Sequence, residues 1–239
     1  MPRPEPSRLP TAQRDLLLAL AGLALLMLWD GSGLDLALLR LVGNADGFPW
    51  REHWLTAGLL HRGGRWLSVA LFTLTVAVAV WPFGPWRGLT PRERLWCLGV
   101  TLICLLLIPL LKRHSLTSCP WELQEFGGVA HYVSHWRFGV ADGGPGHCFP
   151  SGHASGAFSF LALAVVLRAK RPAVARSMLI ALCVIGALFG FAQMARGAHY
   201  LSHTLYTAWL CGSLTALSWH ALMQPAAPRQ PQPQGLPAD

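Results

Sequence analysis

The sequence predicts an all-α protein, a bundle of six membrane-spanning helices. Hydrophobic residues make up 53% of the 239 residues, charged residues only 13%, and the mean hydropathy is positive at +0.39. Apolar runs of spanning length or near it recur along the chain, at residues 15–29, 66–83, 95–111, 154–167, 178–194 and 204–223. Each run is expected to be a helix, because hydrocarbon offers no hydrogen-bond partner for backbone polar groups.

The Lys and Arg residues predict the orientation, because short cytoplasmic loops retain them. With the N-terminus inside, the basic residues of the cytoplasmic segments are Arg3, Arg8, Arg14, Arg87, Arg92, Arg94, Arg168, Lys170, Arg171, Arg176 and Arg229. The predicted location is the inner (plasma) membrane, with both termini cytoplasmic and segments 30–65, 112–153 and 195–203 on the periplasmic side. The net charge of +8 follows mostly from this topology, so no nucleic-acid partner is expected.

The first span follows a polar, Pro-rich stretch, residues 1–14, that is predicted to be a disordered cytoplasmic N-terminus. A cleaved signal peptide is the alternative to a membrane anchor here, because the span is short and has basic residues before it. No small-x-small cleavage site follows Trp29, which favours the anchor. The membrane domain is therefore assigned to residues 15–223, and the Pro/Gln-rich residues 224–239 to a cytoplasmic tail.

The next outer segment, residues 30–65, combines a mostly apolar stretch with Trp50, Trp54 and His61. This composition is typical of interfacial helices packed at a membrane surface. The third span then ends at Lys112 and Arg113, so two cations reach the outer surface. Snorkelling is the ordinary explanation for a lysine at such a position.

Pro150-Ser151-Gly152-His153, directly before the fourth span, carries the strongest chemical signal. Ser151 is a typical N-cap and Gly152 lets the backbone approach a ligand closely, so several free N–H groups are expected to point outward and hold an anion. His153, at the edge of that site, can give or take a proton. The alternative is a simple turn with a capping histidine.

Cys119 and Cys148 differ from the other four cysteines, which lie within apolar runs where a free thiol normally serves packing. Both lie in the outer segment 112–153. In an oxidising compartment they can form a disulfide that closes a loop of about 30 residues. Two unpaired thiols are the alternative.

Arg196, His199 and His203 follow the fifth span. Their spacing places them on one helical face, and they stay close together even if Gly197 breaks the helix. Nine of the ten histidines, all except His220, lie on the predicted outer side. Such a concentration of imidazoles on one side favours a functional site there.

Three short clusters therefore converge at the outer ends of helices: Lys112 with Arg113, the turn at 150–153, and the 196–203 segment. Lys and Arg side chains neutralise phosphoryl oxygens, and backbone N–H groups can cradle them. Two histidines can then act as nucleophile and as acid to the leaving oxygen. The combination points to phosphoryl transfer.

These residues resemble the type 2 phosphatidic acid phosphatase superfamily, which also includes vanadium haloperoxidase-like proteins and carries the pattern Lys-x6-Arg-Pro, Pro-Ser-Gly-His, Ser-Arg-x5-His-x3-Asp. The middle part matches fully at 150–153, and the likeness covers roughly residues 95–220, the expected catalytic core. The resemblance implies a metal-independent phosphohistidine mechanism without cofactors. Its implied roles are phosphate binding by Lys112, Ser151 and Gly152, protonation of the leaving group by His153, and nucleophilic attack by His199.

Three positions depart from that pattern. Cys119-Pro120 stands for Arg-Pro, Ala192-Gln193 for Ser-Arg, and His203 for the Asp. Arg113 and Arg196 are the candidates to replace the two arginines. His203 can fix the tautomer of the nucleophile but, unlike a carboxylate, cannot stabilise its imidazolium by charge. The loop carboxylates that can come in to do so are Glu122, Glu125 and Asp142.

The sequence thus predicts a membrane-embedded phosphatase acting on a phosphate monoester or pyrophosphate of a lipid head group at the outer surface. A lipid phosphotransferase would use the same residues. A pseudoenzyme that binds lipid phosphate, a lipid carrier or a scaffold are the non-catalytic alternatives. A zinc hydrolase is the other enzyme class, with the candidate ligands His147, His153, His199, His203 and Cys148.

Overall fold

The computed structural model of the protein describes residues 11–223, a range that contains helices and no strand. The all-α class is therefore confirmed. In chain order the elements are α1 (Thr11–Gly31), α2 (Leu34–Leu39), a π-helix (Trp54–Gly63), α3 (Gly64–Val80), α4 (Pro91–Arg113), α5 (Gly152–Phe158), α6 (Ala162–Val165), α7 (Pro172–Ala195) and α8 (Leu201–Met223). Single 3₁₀ turns lie at Gly84–Trp86, Pro120–Glu122 and Gln124–Phe126.

Several helices have the length and composition of membrane spans. Four stretches meet both criteria: Thr11–Gly31, Trp54–Trp86, Pro91–Arg113 and Pro172–Ala195. Length and composition therefore identify four spans and not the six that were predicted. The fourth predicted span is not among them, because it divides into the short helices α5 and α6. Helix α8 is long enough, but its first two turns carry the polar residues Ser202, His203, Thr204 and Thr207. These four side chains are buried inside the bundle.

Helix α1 begins earlier than its apolar run. It starts at Thr11, so residues 11–14, which were assigned to a disordered N-terminus, are helical. Backbone hydrogen bonding extends a helix beyond the apolar stretch wherever polar side chains can reach the aqueous boundary. Residues 1–10 and 224–239 lie outside the described residues, as do the predictions made for them.

Helix α4 has well-defined ends that fix where its last residues lie. Thr90 and Glu93 form a capping box around Pro91, with the Thr90 side chain accepting from the Glu93 N–H and Glu93 accepting from the Thr90 N–H at 2.7 Å. The helix ends with Lys112 and Arg113 in its last turn. Its C-terminus therefore delivers two cations to one end of the bundle.

Helices α5, α7 and α8 pack closely around one another because small residues lie at their contacts. A Cβ on Gly186 of α7 would lie 2.3 Å from the Phe158 ring of α5, and one on Gly190 would lie 2.3 Å from Thr204 of α8. Any larger residue at either glycine would force these helices apart. The short helix α5 is in this way held at the centre of the bundle.

The bundle has two chemically different ends. The end that holds the C-termini of α4 and α7 and the N-termini of α5 and α8 is called the site end. The far end, at the opposite side, is closed by ion pairs: Asp15 with Arg168 at 2.7 Å, and Lys170 with Glu93 at 2.6 Å. The site end carries the long loop 114–151 and the turn between α7 and α8.

Candidate active site

A cavity of about 340 Å³ opens at the site end. Ten residues from five separate parts of the chain line it: His61, Lys112, Cys119, Trp121, Gly152, His153, Gln193, Arg196, Ala198 and His199. The three sequence clusters thus each contribute to one cavity. Four of these residues, His61, Trp121, Gln193 and Ala198, were not among the predicted site residues.

Lys112 reaches the cavity from the last turn of α4 and forms no ion pair within residues 11–223. Its stem passes the turn before α5, since a Cβ on Gly152 would lie 3.9 Å from Lys112 Cδ. A half-buried ammonium without a carboxylate partner is suited to receive an anion. Arg113 differs, because it is exposed and does not line the cavity.

Ser151 caps α5 and holds the turn in place. Its Oγ accepts from the Ala154 N–H at 3.4 Å, and its carbonyl accepts from Thr207 Oγ1 at 3.0 Å. Ser151 is fully buried and lies behind the cavity wall, which is formed here by Gly152 and His153. Of the residues expected to hold phosphate in this turn, Gly152 is therefore the one at the surface of the cavity.

His153 is fixed between the π-helix and α7. Its Nε2 lies 2.9 Å from the Leu60 carbonyl, and its ring centroid lies 4.8 Å from His61 and 4.6 Å from Phe189. A carbonyl can only accept, so Nε2 carries the proton. A Cβ on Gly64 would lie 3.0 Å from His153 Nε2, so glycine permits this approach.

The turn between α7 and α8 is built around Gly197, whose φ of +71° is the left-handed conformation that ends many helices. The Ala198 N–H donates to the Gln193 carbonyl at 2.9 Å and closes the last turn of α7. A Cβ on Gly197 would also lie 2.2 Å from Phe48. This turn places Arg196 on one side of the cavity and His199 on another.

His199 and His203 form a buried imidazole pair. Their Nδ1 atoms are 3.1 Å apart, so one of the two nitrogens carries the proton between them. Burial, and after it the positive charge of Lys112, lower the pKa of His199 well below its ordinary value. His199 therefore rests as a neutral imidazole, and with its proton on Nδ1 it keeps a lone pair on Nε2.

Arg196 and Gln193 occupy the region of the missing arginine. Arg196 Nε donates to the Arg51 carbonyl at 2.7 Å, and the Arg51 guanidinium stacks 4.4 Å from the centroid of Trp121. Gln193 is buried, and its Nε2 has no hydrogen-bond partner in the part of the chain that the structure describes. The cavity thus offers one cation and one amide on this side.

Cys119 and Cys148 are joined by a disulfide, with 5.2 Å between their Cα atoms. The bond ties the segment after α4 to the turn before α5. The Cys148 sulfur also lies 3.5 Å from His199 Nδ1. The disulfide is in this way part of the packing around the imidazole pair.

The loop carboxylates considered as partners of His199 are engaged elsewhere or remain outside the cavity. Glu125 pairs with Arg40, and Asp142 accepts from Ser118 Oγ at 2.7 Å and from the Gly144 N–H at 3.0 Å. Glu122 does not line the cavity. The structure therefore brings none of these three carboxylates to the imidazole pair.

One potential metal-ligand cluster lies in the described range, formed by Cys148, His199 and His203 with ligand atoms within 4.8 Å of one another. The Cys148 sulfur belongs to the disulfide and is not a thiolate, so the donor set reduces to two imidazoles. His147, another of the candidate zinc ligands, is exposed and outside the cavity. The residues present do not fit a structural or catalytic zinc site.

A family model described as PAP2 superfamily matches residues 94–225, more than half of the 239 residues. The matched range includes most of α4, the site-end loop and helices α5 to α8, and so contains Lys112, His153 and His199. Comparisons with curated proteins and with solved structures found no match.

Proposed function

Because the chain belongs to the PAP2 superfamily, whose members hydrolyse phosphate esters, we propose that it is a membrane-embedded lipid phosphatase working through a phosphohistidine. Its substrate would be a phosphate monoester or pyrophosphate of a lipid head group. The site end would face the periplasm, as the distribution of Lys and Arg favours. No cofactor is needed in this scheme.

The observation that carries the proposal is the meeting of two cations and two histidines in one cavity. Lys112 and Arg196 supply positive charge, while His153 comes from α5 and His199 from the turn between α7 and α8. Fixed cations stabilise the charge that develops on transferring phosphoryl oxygens. A neutral, buried imidazole is also the form in which histidine acts as a nucleophile.

The chemistry would run in two displacements. His199 Nε2 attacks phosphorus, the N–P bond forms and the P–O bond to the lipid breaks. His153 takes part as the imidazolium: it gives its Nδ1 proton to the departing oxygen and keeps its Nε2 proton on the Leu60 carbonyl. Water then attacks phosphorus, gives a proton to His153, and releases phosphate with the electron pair returning to His199 Nε2. Before the attack, His203 Nδ1 accepts a hydrogen bond from the His199 Nδ1–H and so keeps the His199 ring in the reactive tautomer.

An apolar groove supports a lipid substrate. It has a volume of about 290 Å³ and lies between the π-helix, α3 and α7, and its lining residues are Leu59, Leu60, Gly63, Gly64, Leu67, Ile185, Leu188 and Phe189. Leu60 and Phe189 both contact His153, so the groove adjoins the proposed leaving-group side of the cavity. An acyl or isoprenyl chain in this groove would hold its phosphate next to His153.

A non-catalytic protein that binds lipid phosphate is the second candidate. Gln193 favours it, because an amide carries no charge where the family pattern has an arginine. A phosphotransferase would use the same cavity and differ only in the acceptor, with a second lipid hydroxyl in place of water. Both alternatives give distinct results in the same experiment.

The test is release of inorganic phosphate by the purified full-length protein from detergent-dispersed phosphatidate, phosphatidylglycerol phosphate, isoprenyl pyrophosphate and lipid A. His199→Ala should abolish release, and His131→Ala, at an exposed outer position, should leave it unchanged. Release should also survive a chelator. Binding of these lipids without release would establish the non-catalytic candidate, and release that appears only with a lipid acceptor would establish the transferase.

A further inference from the structure

Two buried carboxylates lie behind the imidazole pair, on the side away from the cavity. Asp30 lies in the last turn of α1 and Asp35 lies in α2, and their exposed fractions are only 7% and 2%. Both belong to the part of the chain outside residues 94–225. Buried carboxylates are costly, so their presence here requires either a partner or a use.

Each carboxylate acts as a hydrogen-bond acceptor from uncharged donors. Asp35 Oδ1 accepts from Trp29 Nε1 and from the Ser202 N–H, both at 3.0 Å. Asp30 accepts from the Ser134 hydroxyl and from the His135 N–H. These donors hold negative charge in place without cancelling it.

His135 connects the carboxylates to the imidazole pair. Its Nε2 lies 3.9 Å from Asp30 Oδ1 and 3.9 Å from Asp35 Oδ2, and 2.8 Å from Ser202 Oγ. Its ring centroid lies 4.7 Å from that of His203. His203 in turn contacts His199, so three imidazoles separate the carboxylates from the cavity.

We propose that Asp30 and Asp35, acting through His135 and His203, supply the negative charge that the family pattern places at position 203. They are positioning residues in this scheme, since neither touches substrate. The inference rests on the proposed function, because it explains how an enzyme of this family works with His203 in place of aspartate. The replacement charge comes from the N-terminal helices and not from the loop 114–151.

The contacts indicate where the proton and the positive charge move during the reaction. When His199 Nε2 bonds to phosphorus, the ring becomes cationic and its Nδ1 proton becomes more acidic. His203 Nδ1 can take that proton, so the positive charge moves to a ring that packs against His135. Asp30 and Asp35 then lie one imidazole away from the cation, in a buried region where charges interact strongly.

The tyrosines around these rings remain neutral and do not cancel the carboxylates. Tyr200 packs against His135 and His203, Tyr206 packs against His135, and Tyr132 packs against Tyr200. Burial, and after it the charges of Asp30 and Asp35, raise the pKa of Tyr132, and burial chiefly raises that of Tyr200. Lys112, on the cavity side of His199, is the one cation that faces the histidine cluster from α4.

A purely structural role is the competing explanation, because Asp35 also caps α8 through the Ser202 N–H. Asparagine separates the two roles. Asp35→Asn and Asp30→Asn keep the side-chain shape and an accepting oxygen but remove the charge. The matched control is Asp142→Asn, which neutralises another buried, hydrogen-bonded carboxylate at the site end.

The experiment measures kcat and KM for phosphate release by the full-length protein in detergent. The Asp30→Asn/Asp35→Asn double variant should lose about ten- to a hundredfold in kcat with KM within about twofold, whereas Asp142→Asn should stay within about twofold of wild type. With His203→Asp as the background, the same double variant should lose less than about twofold, because a carboxylate then contacts His199 directly. An equal loss in both backgrounds, or no loss in either, would overturn the proposal.

A second measurement does not depend on turnover. The pKa of His199 is followed by NMR of protein labelled with ¹⁵N-histidine, in wild type, the double variant and Asp142→Asn. Loss of two nearby negative charges should lower the His199 pKa further, while the control leaves it in place. An unchanged His199 pKa in the double variant refutes the charge role. If the double variant has a lowered His199 pKa but the wild type releases no phosphate, the charge role of Asp30 and Asp35 is supported and only the proposed function is refuted.

Discussion

The buried carboxylates at the two ends of the bundle differ in how their charge is balanced. At the far end, Asp15 Oδ2 lies 2.7 Å from Arg168 and 2.9 Å from His220. At the site end, Asp30 and Asp35 lie 3.9 Å from His135 and are held by neutral donors. At the far end the carboxylate is in direct contact with an opposite charge, whereas at the site end the carboxylates contact only neutral donors.

The two lysines show the same difference. Lys170 at the far end donates to Glu93 at 2.6 Å and to the Gly88 carbonyl at 2.9 Å. Lys112 at the site end has no ion pair in the described range 11–223. Directly paired charges hold helices together, whereas charges kept apart by neutral groups create a field for an incoming anion. The far end is therefore expected to govern stability and the site end to govern rate.

The largest expected effect contrasts these two lysines. Lys112→Met should lower kcat/KM for phosphate release by about a thousandfold, because the cavity loses one of its two lining cations. Lys170→Met should leave kcat/KM within about twofold and lower the free energy of unfolding by less than about 1 kcal/mol, since its ion pair is partly exposed. Arg113→Met, at the exposed neighbour of Lys112, is a second control and should also stay near wild type. Comparable losses in Lys112→Met and Lys170→Met would erase the distinction between the two ends.

The disulfide gives the next largest effect, on stability at the site end. The double variant Cys119→Ser/Cys148→Ser should lower the free energy of unfolding by about 3 kcal/mol, because the bond closes a loop of 29 residues. Reductant should destabilise the wild type by a similar amount and leave the double variant unaffected. Cys183→Ser, at an exposed free cysteine, is the control. Denaturant unfolding in detergent measures the free energy of unfolding of each protein. A double variant as stable as wild type would show that the disulfide does not stabilise the fold.

Asp15→Asn should act on stability alone. Removing the carboxylate leaves Arg168 and His220 without their partner, and the free energy of unfolding should fall by about 2 kcal/mol, with Arg168 in part exposed to solvent. The kcat of the folded fraction should remain within about twofold. A loss of kcat larger than the loss of folded protein would mean that the far end also acts on the cavity.

The same contrast explains how much the sequence could predict. The helix class and the convergence of Lys112, His153 and His199 on one cavity were accessible because hydropathy and short motifs are local signals. The contributions of His61, Asp30 and Asp35 were not, because they come from segments that read as membrane-surface packing or as part of an apolar helix. Contacts between elements more than a hundred residues apart, such as Asp35 with Ser202, leave no spacing to recognise.

Gln193 and His203 show a different limit. Each departs from the family pattern. For the arginine missing at Gln193 the sequence indicated Arg196, which lines the cavity, but for the aspartate missing at His203 it indicated only loop carboxylates, which do not reach the imidazole pair. The proposed source of that negative charge, Asp30 and Asp35, depends on the packing of α1 and α2 against α8, which the chain order alone does not specify. The division of the fourth predicted span into α5 and α6 was likewise hidden, since an apolar composition does not reveal where a helix breaks.

The smallest expected effect, and the finest test of the two ends, is the pH dependence of the rate. Burial and Lys112 lower the pKa of His199, so the neutral nucleophile should persist as the pH falls through about 6.5, the value of an unperturbed histidine, and kcat/KM should decline only at lower pH. In Lys112→Met the loss of a nearby positive charge raises the pKa of His199, so the acid limb of the residual activity should move to higher pH. Asp15→Asn should leave it in place, because that charge lies at the far end. Taking the ratio of variant to wild-type kcat/KM at each pH cancels the ionisation of the substrate. If the ratio for Lys112→Met does not change with pH, the charge of Lys112 does not help to keep His199 neutral.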